Sequence, residues 1–176
     1  KGKAANRVVF FPGCAIRQFQ RDIEAAATTV LERLGCEVVV PAGLECCGRP
    51  FLSLGDREAA RGLARRNTAL LAATGADAIV TACASCGSTF KREYPALLEH
   101  VHVAPPQVLD LHELLADRMD RLELGQLEGR ITVHDPCHLG RGQGLAGTLR
   151  QVLGAVPGLD LVEMRDPDRC CGFGGM

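Results

Sequence analysis

Short apolar runs alternate with segments of helical periodicity over the first half of the chain. Three runs rich in β-branched and aromatic residues predict buried strands, at residues 7–11, 36–40 and 78–82. Between the first two, apolar residues from Ile23 to Leu34 recur at the spacing of an amphipathic helix that Gly35 ends. A longer helix is predicted from an N-cap at Asp56 to Ala73. Such alternation of strand and helix is typical of α/β proteins.

The segment after the third predicted strand carries weaker signals. A short helix is predicted at residues 88–93, before a linker at residues 103–106 that contains two prolines. Asp110 and Glu113 then have the spacing of a capping box, which predicts a helix at residues 111–119.

The alternation of strand and helix restarts in the second half. Strand-like runs at residues 131–134 and 159–164 enclose a helical segment at about residues 145–153. The order of elements is therefore the same as at the start of the chain.

The cysteines follow the same repeat. In each half, one cysteine follows the first predicted strand and a Cys-Cys-Gly sequence follows the second. Thirty-one residues separate Cys14 from Cys46, and thirty-two separate Cys137 from Cys170. A repeat at so nearly constant a spacing predicts two copies of one structural unit.

These patterns predict an α/β fold of two repeated Rossmann-like βα halves with mostly parallel sheets. We place the first repeat at residues 1–102, a linker with a helix at 103–129 and the second repeat at 130–176. The first repeat contains a Cys-x-x-Cys motif, Cys83 to Cys86, whose counterpart is missing from the second. We therefore expect the second half to be incomplete and the chain to be a fragment of a longer protein.

Composition and charge narrow the classes of function. The net charge is −1 and the chain has no long basic run, which disfavours nucleic acid as a partner. One tyrosine and no tryptophan leave few aromatic surfaces for stacking bases. The longest apolar region, residues 69–86, is broken by Gly75 and Asp77, so direct membrane insertion is not expected. The start of the chain lacks the pattern of a signal peptide, which predicts a cytoplasmic location.

In a reducing compartment, nine cysteines favour metal ligands or redox groups over disulfides. Adjacent cysteines cannot easily bridge each other, because a disulfide needs side chains that face one another. Thiolates are preferred ligands of soft metals such as iron and zinc. Because loops at the carboxyl ends of parallel strands meet at one edge of a sheet, the topology is expected to bring together the cysteines that follow strands, namely Cys14, Cys46, Cys47, Cys83, Cys86 and Cys137. Five of these belong to the first half: Cys14, Cys46, Cys47, Cys83 and Cys86.

The number of thiols leaves the kind of site open. Five thiolates exceed the four that hold an ordinary zinc ion or a cubane iron–sulfur cluster. A spare thiol beside a four-ligand site and a multi-iron cluster of unusual shape are both consistent with this count, and buried structural cysteines are the third interpretation. Cys36 lies inside a predicted strand, outside any cysteine motif, and is expected in the core.

The two Cys-Cys-Gly sequences, the cysteines that precede them and the Cys83/Cys86 pair resemble the cysteine-rich CCG domain. This family includes the B-type and D-type subunits of heterodisulfide reductase and the iron–sulfur subunits of glycolate oxidase, lactate utilisation and anaerobic glycerol-3-phosphate dehydrogenase. The resemblance extends from Val8 to Gly175. It includes residues 134–141 (HDPCHLGR), which are similar to the signature of the family's second half.

The resemblance implies a cofactor and its ligands. The first unit would bind a noncubane [4Fe-4S] cluster through the same five cysteines, and zinc is the alternative metal. A second, partial metal site would consist of Cys137, Cys170 and Cys171. Because this site lacks its Cys-x-x-Cys motif, we expect it to be empty or degraded.

The resemblance also implies a function. The chain would be an iron–sulfur electron-transfer module of a larger oxidoreductase, passing electrons between a flavoprotein or ferredoxin partner and a quinone or disulfide acceptor. A partner subunit could associate it with a membrane. The alternatives are the catalytic subunit of a heterodisulfide reductase and a structural zinc-binding module for assembly.

Several residues beside the cysteines are further candidates. Three glycines are expected to let the backbone approach a cluster and to donate N–H groups to its sulfurs: Gly13, Gly48 and Gly172. His138 is a candidate proton donor, zinc ligand or hydrogen-bond partner of a sulfur, with loop packing as the alternative, and no catalytic residue is assigned. Arg49 and Arg141 could offset the charge of a cluster or form salt bridges elsewhere.

The remaining histidines and glycines carry weaker signals. His134 flanks Cys137 and is open to the same interpretations as His138. Three histidines are expected at the surface: His100, His102 and His112. The glycines at positions 140, 142 and 144 depart from the dinucleotide-binding pattern, so no nucleotide site is predicted.

Overall fold

A computed structural model describes residues 6–99 and 106–172. The strands are β1 Arg7–Phe10, β2 Glu37–Val39, β3 Ala78–Thr81, β4 Gln107–Asp110, β5 Gly129–Ile131 and β6 Leu159–Leu161. The α-helices are α1 Gly13–Phe19, α2 Arg21–Arg33, α3 Arg49–Ser53, α4 Arg57–Ala73, α5 Ala84–Ser88, α6 Tyr94–Leu97, α7 Leu111–Asp117, α8 Gly140–Gln143 and α9 Ala146–Gly154. A π-helix, Thr89–Glu93, joins α5 to α6, and a 3₁₀-helix, Met119–Arg121, follows α7.

The six strands form two sheets in which every pair is parallel. The larger sheet has the order β2-β1-β3-β4, and the smaller one pairs β5 with β6. In the larger sheet, Val8 lies opposite Val38 on one side and Ala78 on the other. This arrangement confirms the predicted α/β fold with parallel strands. The placing of the repeat boundaries stays a prediction.

The core lies on both faces of the larger sheet. Alternate residues of β1 and the position after it point to opposite faces, so Val9 and Phe11 pack in one apolar cluster while Val8 and Phe10 pack in another. Helices cover both faces, as a parallel sheet requires, which explains why the first strand is apolar at successive positions.

Several short elements were not predicted, among them α1, α3, α6, α8 and β4. Cys14 lies in the first turn of α1, where the sequence had indicated a loop. Strand β4 follows Pro106 and pairs with β3. It is only four residues long, and its last residue, Asp110, is also the N-cap of α7. The capping residues of the helix therefore overlap the strand, and the sequence pattern indicated only the helix.

Several predicted boundaries were wrong. The helix after β3 begins at Ala84, not Ser88, and becomes π-helical at Thr89. Strands β5 and β6 end at Ile131 and Leu161, three residues earlier than predicted in each case. They pair only with each other, over three residues each, so the apolar residues that follow have no neighbouring strand in the described parts of the chain.

The predicted helix caps were confirmed. The side chain of Asp56 accepts a hydrogen bond from the backbone N–H of Ala59 at 3.0 Å. Asp110 and Glu113 form the complete capping box, although α7 ends at Asp117 and not at residue 119. Within the described residues, no helix is both long and apolar enough to cross a membrane.

The strand order creates a crevice at one edge of the larger sheet. Strand β1 lies between β2 and β3. The connection that leaves β1 leads to β2 on one side of it, and the connection from β2 then leads to β3 on the other side. Ligands of open parallel sheets bind at such a point, outside the carboxyl ends of the strands. The segments that follow β1, β2 and β3 carry the cysteines of the first half, and they all begin at this edge.

Candidate metal centre

Five thiols form one continuous set of contacts at the crevice. The Sγ atoms of Cys14 and Cys46 lie 4.0 Å apart. Cys46 is hydrogen-bonded to Cys47, Cys47 to Cys86, and Cys86 to Cys83. All nine cysteines of the chain lie in its described part, and none of them forms a disulfide. The structure thus brings together the five cysteines that the sequence singled out.

Burial is greatest in the middle of this set of thiols. Cys14 is exposed, Cys46 and Cys83 are half-buried, and Cys47 and Cys86 are only 3% and 4% exposed. The outer end opens into a cleft of about 160 Å³ whose walls include Cys14, Cys46, Arg17 and Glu45. A bound group would therefore meet solvent at Cys14 and be shielded from it at Cys47.

Hydrogen bonds between the thiols favour a negative charge on Cys47. Its pKa is lowered by hydrogen bonds from Cys46 first and then from Cys86, which outweigh the effect of burial. The pKa values of Cys46 and Cys86, which share these hydrogen bonds, are raised. Hydrogen bonding with Cys86 is also the largest cause that lowers the pKa of Cys83 to about 7, and the single S–H of Cys86 is shared between Cys47 and Cys83. The site can therefore hold at least one thiolate, the form that binds metal.

Thr89 adds a hydroxyl group beside the most buried thiols. Its side chain donates to the backbone oxygen of Ser85 at 2.8 Å, within the Cys83–Cys86 turn. It also lies near enough to Cys47 to contribute to the lowered pKa of that thiol. The first residue of the π-helix is therefore part of the surroundings of the site.

Gly13 lets the chain pass close to the buried thiols. Its φ is +75°, and a Cβ atom at this position would lie 2.8 Å from Cys86 Sγ. A side chain is therefore unfavourable for two reasons, the backbone conformation and the contact with a sulfur. This agrees with the expectation that the backbone approaches the site here.

We expect Gly13→Ala to cost about 1–2 kcal/mol of unfolding free energy from backbone strain and also to displace Cys86. Gly35→Ala is the matched control, because Gly35 has a φ of +78° but no atom within 4 Å of an added Cβ. In urea unfolding, Gly35→Ala should show the cost of backbone strain alone and Gly13→Ala at least that cost, but only Gly13→Ala should lose bound iron. Equal iron contents in the two variants would contradict the role assigned to this contact.

The two Cys-Cys-Gly loops share one local geometry. The N–H of Gly48 points to Cys46 Sγ at 3.5 Å, and the N–H of Gly172 points to Cys170 Sγ at 3.4 Å. Both glycines have positive φ, +90° and +75°. In this structure each N–H meets a cysteine sulfur two residues earlier. The two repeats thus share even this individual hydrogen bond.

Asn67 fixes the first Cys-Cys-Gly loop, and it was not among the residues predicted from the sequence. This residue of α4 is fully buried. Its Oδ1 accepts from the N–H of Glu45 at 3.1 Å, while its Nδ2 donates to the carbonyl of Cys46 at 3.0 Å and to Tyr94 Oη at 3.2 Å. The signal that could have revealed it was an asparagine on the buried face of an amphipathic helix, between Ala64 and Leu71.

The thiols of the second half are more open. Cys137 is half-buried, and Cys170 and Cys171 are exposed. Both Cys137 and Cys170 lie near enough to Arg141 to raise its pKa, although its contact with Asp168 is the larger cause. The structure thus places these thiols around one guanidinium group.

The candidate arginines form ion pairs. Arg141 Nη2 lies 2.8 Å from Asp168 Oδ2, and Arg49 Nη1 lies 3.4 Å from Glu93 Oε1. Arg49 also acts on His138, where its positive charge adds to burial in lowering the pKa of the imidazole. Salt bridges, one of the two expected roles, are therefore present at both positions.

His138 lies between the two halves. Its Nδ1 is 2.9 Å from Ser85 Oγ, inside the Cys83–Cys86 turn. Gln143 strengthens the same junction, since its Nε2 donates to the carbonyls of Ala84 at 3.1 Å and His138 at 3.2 Å. The loop that carries Cys137 is therefore seated directly against the Cys-x-x-Cys helix.

The other histidines have packing contacts or lie outside the described residues. His134 Nε2 donates to the carbonyl of Arg169 at 2.8 Å, which ties two loops of the second half together. His112 was expected at the surface, but its ring is half-buried and contacts Asp110 at 2.7 Å. The expectations for His100 and His102 concern residues outside the described part of the chain.

Cys36 lies in the core, as predicted. It is buried in the apolar cluster behind β1, away from the crevice. Its sulfur accepts a hydrogen bond from Arg118 Nη1 at 3.3 Å.

The donor set fits a group with several metal atoms. Among the described residues, no three or more histidine, cysteine and acidic side chains converge as ligands of a single metal ion. The five thiols lie in one series of contacts at the carboxyl edge of the larger sheet. Soft thiolate donors in this number are the ligands that iron–sulfur clusters use.

Comparison with known proteins gave one family and several relatives. The cysteine-rich domain family designated CCG matches residues 8–91 and 131–176. A subunit of fumarate reductase (CoM/CoB) from Methanothermobacter marburgensis is 41% identical over 170 residues, which cover 97% of this chain and 33% of that protein. An uncharacterized iron–sulfur protein of Methanococcus maripaludis is 36% identical over 169 residues, covering 96% and 33%.

A third relative is a subunit of dihydromethanophenazine:CoB–CoM heterodisulfide reductase from Methanosarcina acetivorans. It is 35% identical over 178 residues, which cover 96% of this chain and 43% of that protein. The chain thus spans 33% of the length of the first two of these curated relatives and 43% of the third.

Proposed function

Because the chain belongs to the cysteine-rich CCG domain family, we propose that it is an iron–sulfur electron-transfer module of a larger oxidoreductase. The observation that carries the proposal is the continuous set of sulfur contacts from Cys14 to Cys83 at the edge of the sheet. The names of the relatives, one an iron–sulfur protein and two subunits of reductases, support it.

The proposed cofactor is a noncubane [4Fe-4S] cluster held by five thiolates: Cys14, Cys46, Cys47, Cys83 and Cys86. When bound, such a cluster accepts and releases single electrons. The noncubane form is the one that the family resemblance implies, and the presence of five donors, one more than a cubane cluster uses, supports it. Cys47 and Cys86 would shield the inner side of the cluster from water, while Cys14 marks the side at which electrons enter or leave.

The proposed partners are other subunits of a redox complex. A flavoprotein or a ferredoxin would exchange electrons with the cluster, and a quinone or a disulfide would be the final acceptor. The exposed end of the crevice, at Cys14, is the surface at which such a partner could approach. We place this module in the cytoplasm, with any membrane association supplied by a partner.

One observation favours catalysis of disulfide reduction as a second candidate. The loop that carries Cys137 lies against the Cys83–Cys86 turn, because His138 and Gln143 contact that turn. A relative carries the name of a heterodisulfide reductase subunit. If the second site also binds a cluster, the two sites would act on one substrate from opposite sides.

Metal and sulfide analysis of the anaerobically purified chain tests the proposal. We expect about four iron and four sulfide per chain, with a broad visible absorbance that dithionite bleaches. About one zinc per chain without sulfide would contradict it and favour a structural module. Turnover of a low-molecular-weight heterodisulfide by the loaded chain would favour the second candidate.

A further inference from the structure

Two buried polar residues lie directly behind the first Cys-Cys-Gly loop. Asn67 and Tyr94 are both fully excluded from solvent, and their side chains are joined by the hydrogen bond from Asn67 Nδ2 to Tyr94 Oη. They come from different elements, α4 and α6. A polar pair in an apolar core is costly unless its hydrogen bonds are made, so its position next to the thiols calls for an explanation.

Asn67 holds the peptide that joins the two adjacent cysteines. One amide hydrogen of its Nδ2 binds the carbonyl of Cys46 and the other binds Tyr94, while Oδ1 accepts from Glu45. Both donors and the acceptor of the side chain are therefore used, and its orientation is fixed, because only an oxygen can accept from the N–H of Glu45. The backbone on each side of Cys46 is fixed with it.

The hydroxyl group of Tyr94 is available as a hydrogen-bond donor. Its oxygen accepts from Asn67, which leaves its own O–H available as a donor. Burial raises the pKa of this hydroxyl, and the nearby thiols of Cys47, Cys86 and Cys46 raise it further. Tyr94 also packs in the same buried cluster as Cys47 and Cys86, so its hydroxyl group lies in the part of the core that holds these thiols.

The helix geometry and the aromatic neighbours hold the ring of Tyr94 in place. The π-helix ends immediately before it, and the N–H of Tyr94 bonds to the carbonyl of Thr89. π-helical turns often occur at functional sites. The ring packs against Phe90 at a centroid distance of 4.4 Å, and Phe90 packs edge-on against Phe11 at 4.8 Å.

We propose that Asn67 and Tyr94 are positioning residues of the metal centre, with Asn67 fixing the Cys46–Cys47 peptide and Tyr94 donating its hydroxyl proton toward the bound sulfurs. This inference rests on the proposed iron–sulfur function. Hydrogen bonds to the sulfurs stabilise the more negative, reduced cluster, so they raise its reduction potential.

Replacing Tyr94 by phenylalanine tests the role of the hydroxyl. Tyr94→Phe keeps the ring and its packing, so we expect iron and sulfide contents equal to those of the wild-type chain. The reduction potential, followed by electron paramagnetic resonance, should shift to more negative values. An unchanged potential in a fully loaded variant would overturn the role of Tyr94.

Thr68→Val is the matched control for the loss of a buried hydroxyl. Thr68 follows Asn67 in α4, and its Oγ1 is buried without a hydrogen-bond partner in the described parts of the chain. We expect this variant to keep both the iron content and the potential of the wild type. A shift equal to that of Tyr94→Phe would show that any buried hydroxyl has this effect and would overturn the proposal.

A measurement on the metal-free chain separates this inference from the proposed function. We expect Asn67→Ala to increase several-fold the rate at which a thiol reagent labels Cys47, because the loop loses its anchor, while Thr68→Val leaves that rate unchanged. Equal rates would overturn the role of Asn67. A wild-type chain that binds no iron would overturn the proposed function and the donor role of Tyr94, yet leave the labelling result to decide the role of Asn67.

Discussion

Replacement of Cys47 by serine is expected to abolish binding of the iron–sulfur cluster. Cys47 is buried at the centre of the five thiols, and its hydrogen bonds with Cys46 and Cys86 favour its thiolate form. A serine hydroxyl has similar size, but it is a harder donor and stays protonated near neutral pH. We expect iron and sulfide to fall to background levels and the visible absorbance to be lost.

Cys36→Ser is the matched control for this experiment. Cys36 is buried to a similar degree, so the same change of sulfur to oxygen is made at a comparable depth. The hydroxyl group can still accept the hydrogen bond from Arg118. Iron binding should be retained, and loss of iron from this variant or its retention in Cys47→Ser would refute the ligand assignment.

The second large effect is expected at Asp135. This carboxylate is 6% exposed and accepts a hydrogen bond from Arg150 Nη1 at 2.8 Å. Arg150 also binds Glu163, so one guanidinium joins the segment before Cys137 to the segment after β6. We expect Asp135→Ala to lower the free energy of unfolding by about 1.5–3 kcal/mol, because it removes a hydrogen bond between a buried carboxylate and a charged, half-buried guanidinium.

Urea unfolding followed by circular dichroism measures this loss. Asp160→Ala is the control within the same half, since Asp160 forms an exposed ion pair with Arg130 at 2.9 Å. Pairs of this kind contribute at most about 1 kcal/mol. Similar losses in the two variants would show that the buried pair has no special role in the stability of the second half.

The pattern of the sequence was sufficient to predict the fold class and to predict that the thiols lie close together. Parallel strands can be inferred from the alternation of elements, and their loops then meet at one edge. The caps at Asp56 and Asp110 are local in sequence, so their signals could be read directly. In contrast, β5 and β6 were predicted too long, because apolar residues beyond a strand give the same pattern whether or not a partner strand is present.

The contacts that shape the site could not be read from the sequence. Asn67 meets Cys46 across 21 residues and Tyr94 across 27, and His138 meets Ser85 across 53. None of these pairs belongs to a repeating pattern or a motif. Each depends on the packing of two elements whose relative position follows only from the completed core.

The π-helix between the Cys-x-x-Cys motif and Tyr94 also limits how the length of the chain can vary. A π-helical turn contains one residue more than the α-helical turn it replaces. Because successive residues of an α-helix are rotated by about 100°, deleting one residue between Ser88 and Tyr94 would turn the ring away from Asn67 while Cys83 and Cys86 stayed in place. Homologous sequences that keep the asparagine and the tyrosine should therefore keep this interval free of insertions and deletions.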